Sequence, residues 1–373
     1  MSAQKKISIF IPVYRESDLL EPLIRSLLND PYKEKEIFVV IDEPTQESIE
    51  VSKKFLDNNI IHFIFNGIRK GKANVLNEIV KDSKGDIFLF LDADVLLDGG
   101  ENLLKTVAEE MENAEIIEIK KGVIRNSFIA KVASYDYLSF SLTNLYFSRK
   151  IGRCLGINGA AFAIRRETFE ALGGFRRVIC EDLDLATRSF INGARFKFLD
   201  NVAVYTKVPS SWKEWFNQRK RWGIGAAFWF KEYFKLLKGI IRKYPGVTFL
   251  SLLFIFPALP LLLMNLFVPD DFSLKMLYIS LILLSAKTNI LLPPMALTST
   301  TLSTLKNFFI VVGSLAGYLS VFYFIARRLN FHFNPLEFTI FYFIIAPLWL
   351  LIVVSSLIKV YVKPNNIKID WKT

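Results

Sequence analysis

One stretch, Gly85-Asp86-Ile87-Phe88-Leu89-Phe90-Leu91-Asp92-Ala93-Asp94, combines an unbroken apolar run with two carboxylates. The apolar residues 87–91 predict a strand that is buried on both faces, as in the middle of a parallel sheet. Ligands of such sheets bind at the carboxyl ends of the strands, where Asp92 and Asp94 stand. Two carboxylates at a strand tip can bind a hard divalent cation and, through it, phosphate oxygens. For an isolated Asp-x-Asp, a solvated turn is the alternative.

Strand-like and helix-like segments alternate before this stretch. Apolar runs at 7–13, 36–41 and 60–65 predict three further strands. Between them, leucine and isoleucine recur at helical spacing over 19–28, with Ser17 or Asp18 as a plausible cap. The alternation predicts an α/β fold with a mostly parallel central sheet covered on both faces.

The second part of the chain is far more apolar than the first. The 373 residues are 52% hydrophobic, and long apolar stretches begin only after about Tyr244. Since about 20 apolar residues span a bilayer, we expect about four transmembrane helices within 246–362, followed by a polar tail, 363–373. The candidate spans are 247–268, 273–292, 308–326 and 336–360. By the positive-inside rule, four spans suit the basic tail but not Arg327 and Arg328, and three spans reverse both results.

Charge and composition limit the compartment and the partners. A net charge of +11 suits binding to anionic lipid headgroups and to an anionic substrate. No nucleic-acid motif is recognisable, so we expect no nucleic-acid partner. Two cysteines, two isolated histidines and a polar amino terminus argue against a disulfide framework, a zinc site and a cleaved signal peptide. We therefore expect an integral protein of the cell membrane with a cytosolic catalytic domain.

Two common nucleotide-binding motifs are absent. The first strand leads into Pro12-Val13-Tyr14-Arg15-Glu16 and lacks the glycine pattern of dinucleotide-binding folds. The segment around Gly71-Lys72 has neither the spacing nor the hydroxyl residue of a P-loop. A bound nucleotide would need other contacts.

Several motifs together resemble glycosyltransferase family 2, whose members are inverting enzymes with the GT-A fold that use nucleotide sugars. The resemblance covers roughly the first 225 residues, and the motifs occur in the order of the family. They are Pro12-Val13-Tyr14-Arg15-Glu16, Val39-Val40-Ile41-Asp42, Gly71-Lys72-Ala73-Asn74-Val75-Leu76-Asn77, Asp92-Ala93-Asp94, Asn158-Gly159-Ala160, Gly173-Gly174-Phe175, Glu181-Asp182-Leu183-Asp184-Leu185 and Gln218-Arg219-Lys220-Arg221-Trp222. The chain departs from the family after Asp42, where Glu43-Pro44-Thr45 replaces the usual acidic and small residues.

The resemblance implies a donor site for a UDP- or GDP-linked sugar. It assigns nucleobase contacts to Asp42, and base and ribose contacts to a first loop that carries Pro12, Tyr14 and Glu16. Lys72 would meet phosphate at the start of a helix, with a solvated lysine as the alternative. Asp92 and Asp94 would bind Mg²⁺ or Mn²⁺, which neutralises the departing diphosphate.

The same resemblance assigns the transfer chemistry and the acceptor end. Asp182 would be the general base that takes the proton of the acceptor hydroxyl, and Glu181 would lie beside it near the acceptor or the donor phosphate. A capping pair at a helix start is the alternative for both. Gln218, Arg221 and Trp222 match the Gln-x-x-Arg-Trp motif of processive synthases and some lipid glucosyltransferases. An interfacial helix with tryptophans at headgroup depth is the alternative for that segment.

The sequence thus predicts a GT-A glycosyltransferase domain over 1–225, amphipathic interfacial helices over 212–245, and the transmembrane segment described above. We expect transfer of a sugar to a lipid-linked or glycan acceptor, with membrane lipids as further partners. Repeated extension of a polysaccharide that is then extruded is one alternative. A transporter with a nucleotide-sensing domain, suggested by Lys287 and Asn289 in an apolar stretch, is another. An inactive scaffold is disfavoured by the intact Asp92, Asp94 and Asp182.

Overall fold

A computed structural model describes residues 4–97, 102–261, 263, 270–288 and 298–362 of the chain. Contacts between residues divide the chain into two units. The first consists of residues 1–251 together with 351–373, and the second of residues 252–350.

A single mixed sheet organises the first unit. Its order is β3-β2-β1-β4-β7-β6-β8-β5. The strands are β1 (Ile7–Tyr14), β2 (Lys35–Asp42), β3 (Ile61–Asn66), β4 (Ile87–Leu91), β5 (Val95–Leu97), β6 (Ile116–Val123), β7 (Ala161–Arg165) and β8 (Phe196–Thr206). Strands β1 to β4 pair in parallel, as do β6 and β8, whereas β7 runs antiparallel to both β4 and β6. The predicted α/β class is confirmed, with antiparallel pairing after β4.

Helices cover this sheet and connect its strands. They are α1 (Leu20–Asn29), α2 (Gln46–Lys53), α3 (Lys72–Ile79), α4 (Leu103–Glu110), α5 (Phe128–Lys150), α6 (Arg166–Ala171), α7 (Glu181–Ile191) and α8 (Trp212–Lys243). Helix α1 begins at Leu20, so neither predicted cap residue, Ser17 or Asp18, is at the cap position. Its cap residue is Leu19, whose N–H is 3.3 Å from the Ser17 hydroxyl. Pro22 lies in the first turn, where its missing N–H removes no helical bond.

Strand β4 is buried on both faces, as its apolar run predicts. Ile87, Leu89 and Leu91 belong to the aliphatic core between the sheet and α1. Phe88 and Phe90 point the other way and pack against rings that include Phe10, Phe162 and Phe169. Burial of this many large side chains fixes the register of the strand, because a shift of one residue would exchange its two faces.

The register places the carboxyl ends of neighbouring strands at one edge. Tyr14 stands opposite Asp42, and Asp42 opposite Asn66. Asp92 follows the last residue of the adjacent β4. The expectation that Pro12 and Tyr14 lie on a loop is wrong, because both belong to β1. Pro12 is tolerated there opposite Val40, near the end of the strand.

Further helices follow α8. They are α9 (Pro245–Ile255), α10 (Asp270–Thr288), α11 (Ser299–Arg328), α12 (Pro335–Ile340), a π-helical turn (Phe341–Ile345) and α13 (Ala346–Val362). Among the described residues, two helical segments are long and apolar enough to cross a membrane, Ser299–Arg328 and Pro335–Val362. They contain the third and fourth candidate spans. The first span begins in α9, which ends at Ile255, and the second begins in α10. Both spans extend beyond the described residues, and Asn289 and the tail 363–373 lie wholly outside them.

Candidate active site

Three carboxylates and one ammonium group meet at the carboxyl edge of the sheet. Lys72, the first residue of α3, has its Nζ 2.6 Å from Oδ1 of Asp92 and 3.7 Å from Oε1 of Glu181. The same Nζ is 3.4 Å from the carbonyl oxygen of Gly159. Asp182 is close enough for its charge to act on Lys72. Burial lowers the pKa of Lys72, but the Asp92 and Glu181 charges outweigh it and raise the pKa above its ordinary value.

Asp92 and Asp94 lie in the turn between β4 and β5. The backbone N–H of Asp92 donates to the Ala160 carbonyl at 2.9 Å, and the Asp94 carbonyl accepts from Lys207 at 3.0 Å. Oδ1 of Asp94 is buried and, within the described part of the chain, has no hydrogen-bond partner. Burial, together with the nearby Asp92 charge, raises the pKa of Asp94 to about 7. A buried carboxylate oxygen without a donor is a strong candidate for binding a cation.

These residues fit a divalent metal that is completed by substrate. In the described ranges, no group of three or more His, Cys, Asp or Glu is placed to hold an ion alone. Mg²⁺ commonly binds through one or two carboxylates together with substrate phosphates. The hard oxygens of Asp92 and Asp94, one of them without a donor, match that requirement.

Asp182 lies in the first turn of α7, and backbone N–H groups bind both of its carboxylate oxygens. Gly159 donates to Oδ2 and Leu183 to Oδ1, each at 2.7 Å. A Cβ atom at position 159 would stand 2.9 Å from Oδ2, so any other residue there would push the Asp182 carboxylate out of this position. Each oxygen keeps a second lone pair that can accept a proton or a hydrogen bond.

Glu181 has a different electrostatic environment from Asp182, because its Oε1 lies 3.7 Å from Lys72 Nζ. Burial raises its pKa to about 7, Asp182 contributes to the rise, and the Lys72 ammonium opposes it. The two neighbouring acids therefore stand in unlike surroundings. A pair of carboxyl groups in unlike environments is a common property of acid–base sites.

The predicted nucleobase region is well ordered by contacts of its own. Oδ2 of Asp42 accepts the backbone N–H groups of Lys70 and Gly71, and Oδ1 accepts from Asn66, all at 2.9 Å. Asp42 therefore orders the loop that precedes α3. The exposed Tyr14 ring packs under the Arg69 guanidinium at 4.1 Å, and its hydroxyl donates to Glu43 at 3.2 Å.

Glu16 accepts a hydrogen bond from the Thr45 hydroxyl at 2.5 Å. Thr45 belongs to the departure Glu43-Pro44-Thr45, and its hydroxyl also caps α2. Thr45, one of the residues that replace the family pattern, thus connects the loop after β2 with the loop after β1.

Gln218, Arg221 and Trp222 lie on α8, which packs close to the start of α7. Gly225 is packed so tightly on Cys180 that a Cβ there would be 2.3 Å from Sγ. Burial, then the Asp182 and Glu181 charges, raise the pKa of the Cys180 thiol, and the Arg221 charge opposes them. Arg221 is therefore near the residue that precedes the Glu181-Asp182 pair.

Several residues of this region were not singled out from the sequence. Arg219 is buried on α8, donates to Asp136 of α5 at 2.7 Å, and lies 4.5 Å from the Trp222 ring centre. One face of the Trp222 indole is therefore already covered. The Tyr233 hydroxyl, also on α8, donates a hydrogen bond to Asp184 of α7 at 2.8 Å. Asp136, the single acidic residue within 128–147, was the sequence signal from which its buried pair with Arg219 could have been suspected.

Residues 8–173 match the family model Glycosyl transferase family 2. This match assigns residues 8–173 to the glycosyl transferase family 2. This finding confirms the resemblance seen in the motifs. The matched residues include Lys72, Asp92 and Asp94, and end before the Glu181-Asp182 pair.

Curated relatives are similar at low identity. The probable glycosyltransferase YdaM of Bacillus subtilis (strain 168) is 24% identical over 63% of this chain and 60% of its own length. The poly-beta-1,6-N-acetyl-D-glucosamine synthase of Staphylococcus aureus (strain MSSA476) is 23% identical over 64% of this chain and 58% of its own length. The match spans about three fifths of the length of these relatives.

A solved structure supports the fold. The mannosyltransferase PcManGT from Pyrobaculum calidifontis, determined in complex with GDP-Man and Mn²⁺, superposes with a TM-score of 0.52 at 17% identity. The likeness covers 83% of this chain and 88% of that one. The expected GT-A fold, followed by apolar helices, is thereby confirmed.

Proposed function

We propose that the protein is a membrane-bound, metal-dependent, inverting glycosyltransferase. It takes a sugar from a UDP- or GDP-linked donor at the cytosolic face and passes it to the hydroxyl of a lipid-linked or glycan acceptor. In this proposal, residues 1–225 form the catalytic domain, 212–245 the interfacial helices and 246–362 the transmembrane part.

One observation carries the proposal: Lys72, Asp92, Glu181 and Asp182 converge at the edge where α/β sheets bind ligands. A pair of carboxylates that can bind a cation suits a diphosphate, and a nearby carboxylate oriented by backbone N–H groups suits a general base. Glycosyl transfer requires both functions within one substrate length.

The chain's own residues perform the following steps. Asp182, oriented by the Gly159 and Leu183 N–H groups, accepts the proton of the acceptor hydroxyl while that oxygen attacks the anomeric carbon. Lys72 exchanges part of its contact with Asp92 for the donor phosphates. Asp42, with Pro12, Tyr14 and Glu16, lines the nucleobase and ribose end. A single displacement from the face opposite the diphosphate inverts the anomeric centre.

Asp92 and Asp94 would hold Mg²⁺ or Mn²⁺, which supplies charge neutralisation for the leaving diphosphate. The Mn²⁺ present with GDP-Man in the PcManGT structure supports this choice. A site that is completed by donor phosphates also agrees with the small number of protein carboxylates near Asp94.

The acceptor end is proposed at Gln218, Arg221, Trp222 and Glu181. Arg221 is near Cys180, and α8 packs against the residues before Asp182. The names of the Staphylococcus relatives favour a glycan that is extended repeatedly. A single transfer to a lipid is the other version, and the length of the product separates the two.

Membrane attachment is proposed from the apolar helices that follow α8. In the most apolar 18-residue stretch of Ser299–Arg328, only 6% of the residues are buried. Contiguous exposed apolar surface indicates contact with lipid or with another apolar partner.

A screen of labelled nucleotide sugars tests the proposal. Membranes containing the protein are incubated with each UDP- and GDP-linked sugar, with D182N membranes as the matched control. Label should enter a lipid or polymer only with the active protein and only with one donor class. Equal labelling by D182N membranes, or transport without transfer, would overturn it.

A further inference from the structure

Asp184 is a buried acid that the proposed transfer mechanism does not use. It lies on α7, two residues after Asp182, and is only 3% exposed. Its Oδ1 accepts hydrogen bonds from Arg176 at 2.9 Å and from the Tyr233 hydroxyl at 2.8 Å, and its Oδ2 accepts from Arg188 at 2.8 Å. These donors belong to the segment before α7, to α8 and to α7 itself. One carboxylate thus joins three parts of the chain.

A second hydrogen bond joins the same two helices about one turn away. Trp229 Nε1 of α8 donates to the hydroxyl of Thr187, a buried residue of α7, at 2.7 Å. Gly225 of α8 packs on Cys180, the residue before α7. The three α8 positions 225, 229 and 233 are four residues apart, and positions 180, 184 and 187 are four and three residues apart. Each set therefore lies along one face of a helix.

The same face of α8 carries the proposed acceptor motif. Trp222 precedes Gly225 by three residues and Gln218 precedes it by seven, so both continue the row of positions 225, 229 and 233. Arg221 lies beside Trp222 in that row. Asp182 stands in the first turn of α7. A rotation or a sliding of α8 on α7 would therefore move the motif relative to the proposed base.

We propose that Asp184 is a positioning residue, which binds Tyr233 and so holds α8 on α7 with the acceptor motif at a fixed distance from Asp182. The hydrogen bond between Trp229 and Thr187 serves the same purpose. This inference rests on the proposed function, because it takes Asp182 as the base and the motif as the acceptor end. Asp184 itself touches neither substrate in this scheme.

Stability alone explains a buried carboxylate between two helices poorly. Apolar side chains of similar volume often stabilise a fold as well as buried charged groups do. A hydrogen bond, in contrast, requires a particular distance and direction, so it fixes how two helices are placed. The ion pair between Arg176 and Glu232 of α8, at 2.7 Å, is 45% exposed on both sides and contributes little. The bonds of Tyr233 and Trp229 are thus the contacts that orient α8.

The variant W229F/Y233F removes both α8 donors and keeps an aromatic ring at each position. Asp184 retains its two arginine donors, and the Thr187 hydroxyl still has the Leu155 carbonyl oxygen at 2.8 Å. Because the acceptors on α7 keep other partners, the change introduces no buried charge without a partner. We expect the domain to fold and α8 to be held less firmly on α7.

Y32F is the matched control. Tyr32 is 4% exposed and donates its hydroxyl to the Lys5 carbonyl. It precedes β2, at the edge of the sheet opposite to the one that carries Asp92. This variant also loses a hydrogen bond of a buried tyrosine, but the bond joins the segments before β1 and β2 and not α7 and α8.

Hydrogen exchange of the backbone amides of residues 225–233 is the first measurement, and it requires no activity. We expect protection to fall at least about tenfold in W229F/Y233F, because two interhelical hydrogen bonds are lost. Protection of these amides should be unchanged in Y32F. Unchanged protection in W229F/Y233F, or an equal loss in both variants, would overturn the proposal.

The fate of the donor sugar is the second measurement. Membranes receive the labelled nucleotide sugar, and the label in lipid or polymer is compared with the label released as free sugar. Water needs no positioned acceptor motif, whereas an acceptor hydroxyl does, so the ratio of transfer to hydrolysis should fall about tenfold in W229F/Y233F. Loss of folded protein would lower both products equally. An unchanged ratio would therefore contradict the positioning role, whatever the exchange result.

The two measurements separate this inference from the proposed function. If the wild-type protein transfers no sugar, the proposed function fails, while hydrogen exchange still shows whether the two bonds hold α8 on α7. If W229F/Y233F does not fold, Y233F, which removes a single hydroxyl, replaces it in both comparisons with the same expected directions.

Discussion

Lys72 Nζ lies 2.6 Å from Oδ1 of Asp92, so the chain's own cation pairs with a carboxylate that we propose as a metal ligand. Glu181, at 3.7 Å from the same Nζ, adds to this arrangement. An ammonium group in this place offsets the repulsion among acids that stand close together. It also competes with any metal for Asp92.

Removal of that competition should strengthen metal binding. In K72M, the positive charge that opposes the metal is gone. Mn²⁺ should therefore bind the donor-free protein about tenfold more tightly, which is a gain of about 1.4 kcal/mol in binding free energy. Donor affinity should fall in the same variant, since we propose that Lys72 also binds the donor phosphates. Titration of Mn²⁺ followed by electron paramagnetic resonance measures the first effect. K70M is the control, because Lys70 lies just before α3 and pairs with Glu78 instead of Asp92. Equal behaviour of the two variants would refute the competition.

The metal requirement follows from Asp92 and Asp94. Transfer should cease in excess EDTA and return with Mg²⁺ or Mn²⁺, because these carboxylates offer hard oxygen ligands. D94A should lose transfer and donor affinity together, since the proposed metal would be held by the protein and would neutralise the diphosphate. Assays of both quantities on one preparation provide the measurement. Full activity in EDTA would exclude the metal role.

Loss of the proposed base should affect the rate and spare the donor. D182N should leave donor affinity nearly unchanged and lower kcat by at least ~10²-fold, because the variant cannot accept the proton. The asparagine side chain can still accept one of the two backbone hydrogen bonds, so the loop around Gly159 stays in place. A collapse of donor affinity would assign Asp182 to the nucleotide site instead.

Periodicity predicted the frame of this site well. The run 87–91 is strand β4, buried on both faces, and Asp92 follows it at the binding edge. The order of the motifs was enough to identify the family domain. These features depend on local patterns and on parallel topology, both of which are visible in one sequence.

Contacts between distant residues could not be predicted in the same way. The Lys72–Asp92 pair joins α3 to β4, and Gly159 meets Asp182 across 23 positions of the chain. Burial of Arg219 against Asp136 depends on how α8 crosses α5. Such pairs need the tertiary arrangement, because charge spacing along the chain does not determine which side chains meet.

The raised pKa of Glu181 predicts a dependence of stability on pH. Its pKa is about 7 in the fold against an ordinary 4.5, mainly through burial. The folded state therefore binds the proton more tightly, and stability from this group is lost as pH rises from about 4.5 to about 7. One such group contributes at most ~1.4 kcal/mol per pH unit. E181Q should flatten this decline in urea unfolding at pH 5 and pH 7.5, whereas E167Q, at an exposed position, should not.

The Trp222 region separates an acceptor site from a membrane anchor. The Arg219 guanidinium lies 4.5 Å from the centre of the Trp222 indole, so a sugar ring could stack only on the other face. W222A should therefore raise the acceptor requirement or shorten the product, while hydrolysis of the donor without acceptor persists. R221A should act in the same direction, because Arg221 is close to the residue before Glu181.

Phe234, an exposed aromatic residue later on the same helix, is the matched control for the anchor. Removal of an anchor residue weakens attachment wherever it stands on the helix, so a pure anchor predicts similar detachment of W222A and F234A with the product unchanged. An acceptor site predicts that W222A alone alters product length and acceptor dependence. Membrane association, donor hydrolysis and product length, measured on the same preparations, distinguish the two, because only stacking on the indole ties the length of the product to position 222.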